Sequence, residues 1–265
     1  MATGSDELAR LISTTIRRLV TEAGTDTQYR EPLVAGVSSS DPRFDELHHL
    51  VHPAHMLPQD LLPGARSVVS FFLPFAPWVV EANCQHREKV AREWAMAYVE
   101  TNALIGHITD QLIETLRERG IRAAAEPATH NFDPETLVSR WSHKSVAVIA
   151  GLGSLGLHQM VITDAGCAGR FGSLVLDAEL PANEIQPRER CLCFHDGSCL
   201  ECVQRCPAAA LDTSEPLDKQ LCWQKLLQVV QEFQQIGHAD VCGKCATGPC
   251  AFESAVHNGA SFSTT

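Results

Sequence analysis

The stretch AVIAGLGSLGLHQ, residues 147–159, decides which fold the N-terminal part of this chain can adopt. Its glycines Gly151, Gly153 and Gly156 follow an apolar run with the spacing G-x-G-x-x-G. In dinucleotide-binding folds that spacing joins a strand to a helix, and an acidic residue follows about 20 residues later. Asp177 meets the last condition, so a nicotinamide site is one interpretation of this stretch.

The residues that follow the glycines disfavour that interpretation. The required helix would run through LHQMVITDAGCAG, residues 157–169, where consecutive β-branched residues and two glycines lower the helix propensity. The neighbouring sequence also lacks the repeated strand and helix units of a doubly wound sheet. We therefore expect the glycines to line a pocket for another kind of ligand.

The composition indicates a globular protein. The chain has 265 residues, 45% of them hydrophobic, which is enough to bury a full core. Its net charge of −11 opposes a phosphate backbone, so we expect no nucleic-acid partner. The N-terminus does not resemble a signal peptide, and Pro74 and Pro77 interrupt the longest apolar stretch. We therefore expect a cytoplasmic protein that does not contact a membrane.

The apolar patterns predict a mixed α/β domain followed by a smaller domain. The segments between residues 24 and 64 are rich in proline, serine and histidine and are expected to be loops. Beyond residue 186 the apolar periodicity fades and cysteines dominate, which divides the chain into domains 1–186 and 187–265. Helices are predicted over 5–23 and 85–119, and strands over 65–75, 121–125, 145–150 and 171–177.

Eleven cysteines are many for a chain without a secretion signal, and nine of them lie between Cys191 and Cys250. The cytoplasm keeps thiols reduced, and the odd total also argues against a disulfide framework. The cysteines are therefore expected to be metal ligands.

The segment CLCFHDGSCLECVQRCP, residues 191–207, contains the latter part of a bacterial ferredoxin run, in which the cysteine before proline ligates the other of two clusters. With that crossover, one 4Fe–4S cluster takes Cys199, Cys202, Cys250 and either Cys191 or Cys193. The other cluster takes Cys206, Cys222, Cys242 and Cys245, which leaves one of the nine cysteines of the region spare. A pair of structural zinc sites is the alternative.

Two stretches resemble the epoxyqueuosine reductase family and its short relatives. They are LLPGARSVVSFFLPF, residues 61–75, and SHKSVAVIAGLGSLGLHQMVITDAGCAGRFGSLVLD, residues 142–177, which the two-cluster segment follows. In that family, and in the related reductive dehalogenases, a nitroreductase-like α/β domain holds a base-off corrinoid beside a ferredoxin-like module. The resemblance implies this fold here, with cobalamin and two 4Fe–4S clusters as cofactors.

The resemblance also implies roles for individual residues. It favours Cys191 over Cys193 as the cluster ligand, and it implies that electrons pass from an external donor such as ferredoxin or flavodoxin through the clusters to cobalt. Glycine lets backbone approach a large flat macrocycle. By match to the glycine motif, corrinoid contacts are expected at Gly151, Leu152, Gly153, Gly156, Leu157, His158, Ile162, Thr163 and Arg170.

The reaction is less well defined than the cofactors. The family's catalytic aspartate stands in an Asp-x-x-Pro context, whereas Pro134 directly follows Asp133 here. Asp133 and His143 are therefore the candidate proton donors. Residues 191–258 contain four Lys or Arg against eight Asp or Glu, which favours a small-molecule substrate over RNA. The alternatives are a non-catalytic electron carrier or corrinoid-reducing protein, and a flavin- or nicotinamide-using iron–sulfur reductase.

Overall fold

A computed structural model describes residues 4–183 and 188–256, so the predicted domain boundary between residues 186 and 187 lies outside the described residues. The helices are α1 (Gly4–Thr21), α2 (Arg43–Leu50), α3 (Pro58–Leu61), α4 (Pro77–Cys84), α5 (Arg92–Arg117), α6 (His143–Ile149), α7 (Leu192–His195), α8 (Glu201–Arg205) and α9 (Lys219–Glu232), with a 3-10 helix at Lys244–Ala246. The strands are β1 (Leu33–Ser38), β2 (Ser67–Pro74), β3 (Ala123–Ala124), β4 (Phe132–Asp133), β5 (Val138–Ser139), β6 (Gly153–Leu155), β7 (Val161–Thr163) and β8 (Gly169–Leu176).

Strand β2 lies at the centre of a four-stranded antiparallel sheet with the strand order β1-β2-β8-β3. Its sequence SVVSFFLP is rich in β-branched and aromatic residues, which favour a pleated, buried strand. Every residue of β2 is buried. In the register of the sheet, Ser70 pairs with Ala35 of β1 and with Ser173 of β8.

Different helices cover the two faces of the sheet. Because side chains alternate along a strand, Val69 and Phe71 of β2 pack with α1 and α5, whereas Val68 and Phe72 pack with α2 and α6. A strand that is apolar on both faces requires helices on both sides. Helix α6 leads directly into the glycine stretch, so its packing on the sheet fixes where that stretch lies.

Residues 145–150 were predicted as a strand, and this prediction is wrong because they belong to α6. Ser142 caps this helix, since its side-chain oxygen accepts the N–H of Ser145 at 3.2 Å. A short, buried apolar run has no periodicity that separates helix from strand. The predicted loops after α1 also contain β1, α2 and α3, and the strand predicted over 121–125 is only Ala123–Ala124.

The cysteine-rich region packs directly on the sheet domain. The N–H groups of Cys167 and Ala168, just before β8, donate to the carbonyls of Cys250 and Ala251 at 2.9 and 3.1 Å. The predicted mixed α/β class is confirmed. Within residues 4–183 and 188–256, no helix is both long and apolar enough to cross a membrane, and the cytoplasmic location stays a prediction.

Candidate active site

A cleft of about 390 Å³ lies between the sheet domain and the cysteine-rich region. The sheet domain contributes aromatic side chains such as Phe75 and Trp94, and the cysteine-rich region contributes Leu211 and Trp223. Ligand sites in proteins typically have this volume and a mostly apolar lining with a few polar groups. This cleft is therefore the candidate active site.

Four thiols form part of its wall. Cys206, Cys222, Cys242 and Cys245, which we call the inner set, all line the cleft. Burial, and after it the neighbouring Cys242 and Cys206, raise the pKa of the Cys222 thiol to about 11. Burial, and after it the neighbouring Cys242 and Cys222, raise the pKa of Cys245. Four thiols on the wall of one cavity have the donor chemistry for one 4Fe–4S cluster.

The other predicted ligands lie around a second, smaller cavity. Cys191, Cys199, Cys202 and Cys250, which we call the outer set, line it together with Cys193. Burial, and after it the neighbouring Cys250, Cys191 and Cys199, raise the pKa of Cys202 to about 12. The structure thus brings together each predicted set. Cys245 lines both cavities, so the two sets adjoin.

A tyrosine and an arginine from the sheet domain also line the cleft. The guanidinium carbon of Arg170, on β8, lies 4.3 Å from the centre of the Tyr98 ring, on α5. The Tyr98 hydroxyl donates to Oδ1 of Asp240 at 2.6 Å. Burial raises the pKa of Tyr98, and Arg170 opposes that rise. Tyr98 is therefore a protonated acid beside a permanent cation.

Two buried donors in cleft-lining residues have no hydrogen-bond partner among the described residues. They are Nε1 of Trp94 and Nε of Arg170. Both atoms have almost no accessible surface, and Nε1 of Trp94 lies against the backbone of Gly243. A corrinoid has an apolar macrocycle with amide carbonyls around its edge. The apolar side chains that line the cleft fit that macrocycle.

The cleft is basic although the chain is acidic. Among the described residues that line it, Asp240 is the only carboxylate, against five cations: Lys144, Arg170, Lys219, Lys225 and Lys244. Burial lowers the pKa of Lys144, and it lowers the pKa of Lys244 to about 8. Net charge describes the whole chain and does not determine the field at one site.

Two of the nine predicted corrinoid contacts, His158 and Arg170, line the cleft. The other seven are not among the described residues of its walls: Gly151, Leu152, Gly153, Gly156, Leu157, Ile162 and Thr163. A Cβ on Gly153 would collide with the Ile162 carbonyl, and one on Gly156 with the Ile162 side chain and the His158 ring. In this structure the glycines permit the β6–β7 hairpin to pack closely. A helix, not a strand, precedes them, which excludes the dinucleotide turn.

The two predicted proton donors have partners away from the cleft. Asp133 Oδ1 accepts the N–H groups of Glu135 and Thr136 at the exposed β4–β5 turn. The His143 ring is buried, with Nδ1 2.8 Å from Ser173 Oγ and Nε2 3.0 Å from the Pro127 carbonyl oxygen. Burial lowers the pKa of His143 to about 4. Neither residue is among the described residues that line the cleft, so a catalytic role for them stays a prediction.

Sequence reasoning missed most of the polar residues of the cleft. Tyr98 lies within a long amphipathic helix, where an aromatic residue usually indicates core packing. Asp240, Lys219 and Lys225 lie between the cysteines, in segments for which the sequence predicted no site residue. The CxxC motif at residues 242–245 could have pointed to these residues, because residues next to a cluster-binding loop commonly line the neighbouring cavity.

No family model matches the chain. It is similar to the epoxyqueuosine reductase of Salmonella typhimurium, with 28% identity over 167 residues, or 62% of this chain and 40% of that protein. The epoxyqueuosine reductase of Pseudomonas aeruginosa is 27% identical over 166 residues, or 62% of this chain and 43% of that protein. The matched region thus spans less than half of the length of these relatives.

Solved structures share the fold. Epoxyqueuosine reductase from Bacillus subtilis has a TM-score of 0.59 at 20% identity, covering 94% of this chain and 68% of that one. An epoxyqueuosine reductase with an epoxyqueuosine-modified tRNA stem loop has a TM-score of 0.57 at 22% identity, covering 91% of this chain and 64% of that one. A catabolic reductive dehalogenase has a TM-score of 0.57 at 15% identity, covering 91% of this chain and 32% of that one. The resemblance predicted from the sequence is confirmed.

These relatives overturn the predictions on partners. We expected a small-molecule substrate and no nucleic acid, yet the curated relatives are epoxyqueuosine reductases, and one solved relative is bound to a modified tRNA stem loop. The prediction was wrong because it used the charge of the whole chain and of the whole cysteine region. Three of the four Lys and Arg residues of that region line the cleft, where they join Lys144 and Arg170.

Proposed function

We propose that this protein is an oxidoreductase that uses a corrinoid and two 4Fe–4S clusters to reduce a modified nucleoside in an RNA stem loop. One observation carries the proposal: the four thiols of the inner set and the acid Tyr98 line the same cleft, so electrons and a proton can reach one place. The relatives support these cofactors. A further solved relative is described by its B12-dependent dehalogenation, with a TM-score of 0.51 at 16% identity, covering 78% of this chain and 28% of that one.

The reaction requires both electrons and protons. Removing an epoxide oxygen as water, which leaves a carbon–carbon double bond, takes two electrons and two protons. An external one-electron donor, such as ferredoxin or flavodoxin, would supply the electrons through the outer set and then the inner set. When bound, the corrinoid supplies a low-potential cobalt centre for cleavage of the carbon–oxygen bond.

Tyr98 would donate a proton to the departing oxygen. Its hydroxyl is protonated at neutral pH, because the ordinary pKa of a phenol is already well above neutrality and burial raises that of Tyr98 further. The Arg170 guanidinium over its ring would stabilise the phenolate that forms when the proton leaves. Asp240 accepts the hydroxyl hydrogen bond in the structure, so the hydroxyl would turn from Asp240 to the departing oxygen when it donates its proton.

The cations of the cleft match the charge of an RNA substrate. Lys219 is exposed at the start of α9, and Lys225 is about 1.7 turns further along the same helix. Lys144 lies on the opposite wall, where its Nζ donates to the Gln159 carbonyl at 2.9 Å. Lysines on both walls can hold the phosphates that flank a nucleoside inserted into the cleft.

The test begins with anaerobic reconstitution of the full chain with iron, sulfide and cobalamin. We expect about eight irons per chain, a change in the cobalamin spectrum on binding, and conversion of an epoxyqueuosine-containing stem loop to the queuosine form with a chemical reductant. Zinc in place of iron, a flavin spectrum, or cobalamin binding without turnover of the stem loop would each overturn the proposal.

Two tyrosine variants test the proton donor. Tyr98→Phe removes the hydroxyl but keeps the ring, so turnover should fall by about 10² or more while the cofactor content stays unchanged. Tyr29→Phe is the matched control, because the Tyr29 hydroxyl hydrogen-bonds Thr101 of the same helix but does not line the described cleft. Equal activity in both variants would exclude Tyr98 as the donor.

A further inference from the structure

His158 lies between the two cavities of the site. It lines the cleft and also the cavity that the outer set surrounds, and its side chain is only 4% exposed. Nothing in the proposed reaction requires a histidine at this position. Its surroundings therefore call for a separate explanation.

One ring nitrogen of His158 faces a cysteine sulfur. His158 Nε2 lies 3.3 Å from Sγ of Cys250, a residue 92 positions further along the chain. On the other side of the ring, Nδ1 accepts the backbone N–H of Met160 at 3.1 Å. A nitrogen that accepts carries no proton, so the proton of the neutral ring is on Nε2 and faces the sulfur.

The glycine stretch holds this ring in place. The N–H of Gly156 donates to the Met160 carbonyl, and the N–H of Gln159 donates to the Gly156 carbonyl, which closes a tight turn around His158. Gln159 has a φ of 59°, in the left-handed region that non-glycine residues rarely adopt. The ring also rests against Gly156, where a Cβ would lie 3.0 Å from its Cε1 atom.

We propose that His158 donates an N–H···S hydrogen bond to Cys250 and thereby raises the reduction potential of the cluster held by the outer set. This inference rests on the proposed function, because it requires that the outer set holds a cluster. Reduction adds negative charge to the cluster and its sulfurs, so a donor to a ligand sulfur stabilises the reduced form more than the oxidised form. The hydrogen bond makes the outer cluster easier to reduce, which suits the cluster that receives electrons from the external donor.

The test is a redox titration of the two clusters, followed by electron paramagnetic resonance, on the anaerobically reconstituted full chain. His158→Phe keeps an aromatic ring but has no donor, and His158→Gln restores an N–H. We expect one potential to become more negative in His158→Phe and to return toward the wild-type value in His158→Gln, while the other potential stays unchanged.

His55→Gln is the matched control. His55 is also a buried histidine with both ring nitrogens engaged, but its partners are the Met56 carbonyl and the N–H of Ser142. We expect wild-type potentials in this variant. Equal shifts in His55→Gln and His158→Phe would mean that the shift reports only a disturbed core, and the inference would fail.

Iron analysis separates the two possible failures. A wild-type chain without iron overturns the proposed function, whereas about eight irons with potentials that are the same in wild type and His158→Phe overturn only the inference. If His158→Phe does not bind its clusters, pulsed electron paramagnetic resonance on the wild-type chain tests the hydrogen bond instead. With ¹⁵N-labelled histidine, we expect a nitrogen coupling and an exchangeable-proton coupling at one reduced cluster, and their absence contradicts the hydrogen bond.

Discussion

Lys244 Nζ donates to Oδ1 of Asn83 at 2.8 Å and to its backbone carbonyl at 2.5 Å, although the two residues are 161 positions apart. The Asn83 side chain also donates to the Cys242 carbonyl at 2.9 Å and accepts the N–H of Ala91 at 3.1 Å. Asn83 is fully buried and Lys244 is 2% exposed. One amide on α4 therefore holds the second CxxC loop against the sheet domain.

Replacing this amide should weaken the whole protein. Asn83→Ala leaves the Lys244 ammonium group and the Cys242 carbonyl each short of a partner in a buried place, so we expect a loss of about 3 kcal/mol in the free energy of unfolding. Urea unfolding of the reconstituted chain measures it. Gln220→Ala, which removes one exposed hydrogen bond to the Glu135 carbonyl, is the control and should cost less than about 0.5 kcal/mol. Similar losses in both variants would contradict the role of Asn83.

Two glycine substitutions, one in the closely packed β6–β7 hairpin and one on α5, should have opposite effects on the free energy of unfolding. Gly153→Ala places a Cβ against the backbone carbonyl of Ile162, so we expect a loss of about 2 kcal/mol in unfolding free energy. Gly106→Ala adds a Cβ in open space on α5, where alanine favours the helix, so we expect a gain of about 0.5–1 kcal/mol. Thermal or urea unfolding checks both, and a stabilising Gly153→Ala would refute the packing explanation.

Buried His143 predicts a stability change with pH. Its pKa is lowered to about 4 in the folded chain, whereas an unfolded histidine has its ordinary value of 6.5. As the pH falls below 6.5, the His143 side chain takes up a proton in the unfolded chain but not in the folded chain. The free energy of unfolding therefore decreases as the pH falls. Between pH 7.5 and 5.5 we expect this group to cost about 1 kcal/mol. The glutamine of His143→Gln does not titrate. Between pH 7.5 and 5.5 the unfolding free energy of this variant should therefore decrease by about 1 kcal/mol less than that of the wild type.

The basic lining of the cleft predicts that Lys219 contributes to the affinity for RNA and that Lys89 does not. Lys219→Glu reverses a charge that lines the cleft, and Lys89→Glu makes the same change at an exposed position that is not among its described lining residues. We expect Lys219→Glu to weaken stem-loop binding about tenfold and to reduce the salt dependence by about one ion. Fluorescence anisotropy at several salt concentrations measures both. Equal weakening by the two variants would indicate only a net-charge effect.

The choice between Cys191 and Cys193 can be decided by iron content. Both line the outer cavity, and Cys191 is one of the thiols that raise the pKa of Cys202. We expect Cys191→Ser to lose about four irons per chain and Cys193→Ser to keep about eight. Iron and sulfide analysis after anaerobic reconstitution provides the measurement. The reverse pattern would assign Cys193 as the ligand.

The sequence by itself determined the central strand, the mixed α/β class, the resemblance and the two sets of cysteines. These features depend on local information. The strand has consecutive β-branched and aromatic residues, and the predicted ligand sets, apart from the choice of Cys191 over Cys193, follow from cysteine spacings and the Cys-Pro ending of a ferredoxin run. Where local information was ambiguous, as for the apolar run in α6, the prediction was wrong, because that run suits a buried helix and a buried strand equally.

Only the tertiary structure decided the chemistry of the cleft. Tyr98, Arg170 and Asp240 come from three separate segments, and no periodicity or spacing connects them. The same holds for His158 and Cys250, which are 92 positions apart. Their meeting depends on how the sheet, α5 and the cysteine-rich region pack together. The charge of the cleft was also hidden from composition, because folding gathers five cations around one cavity in a chain whose net charge is −11.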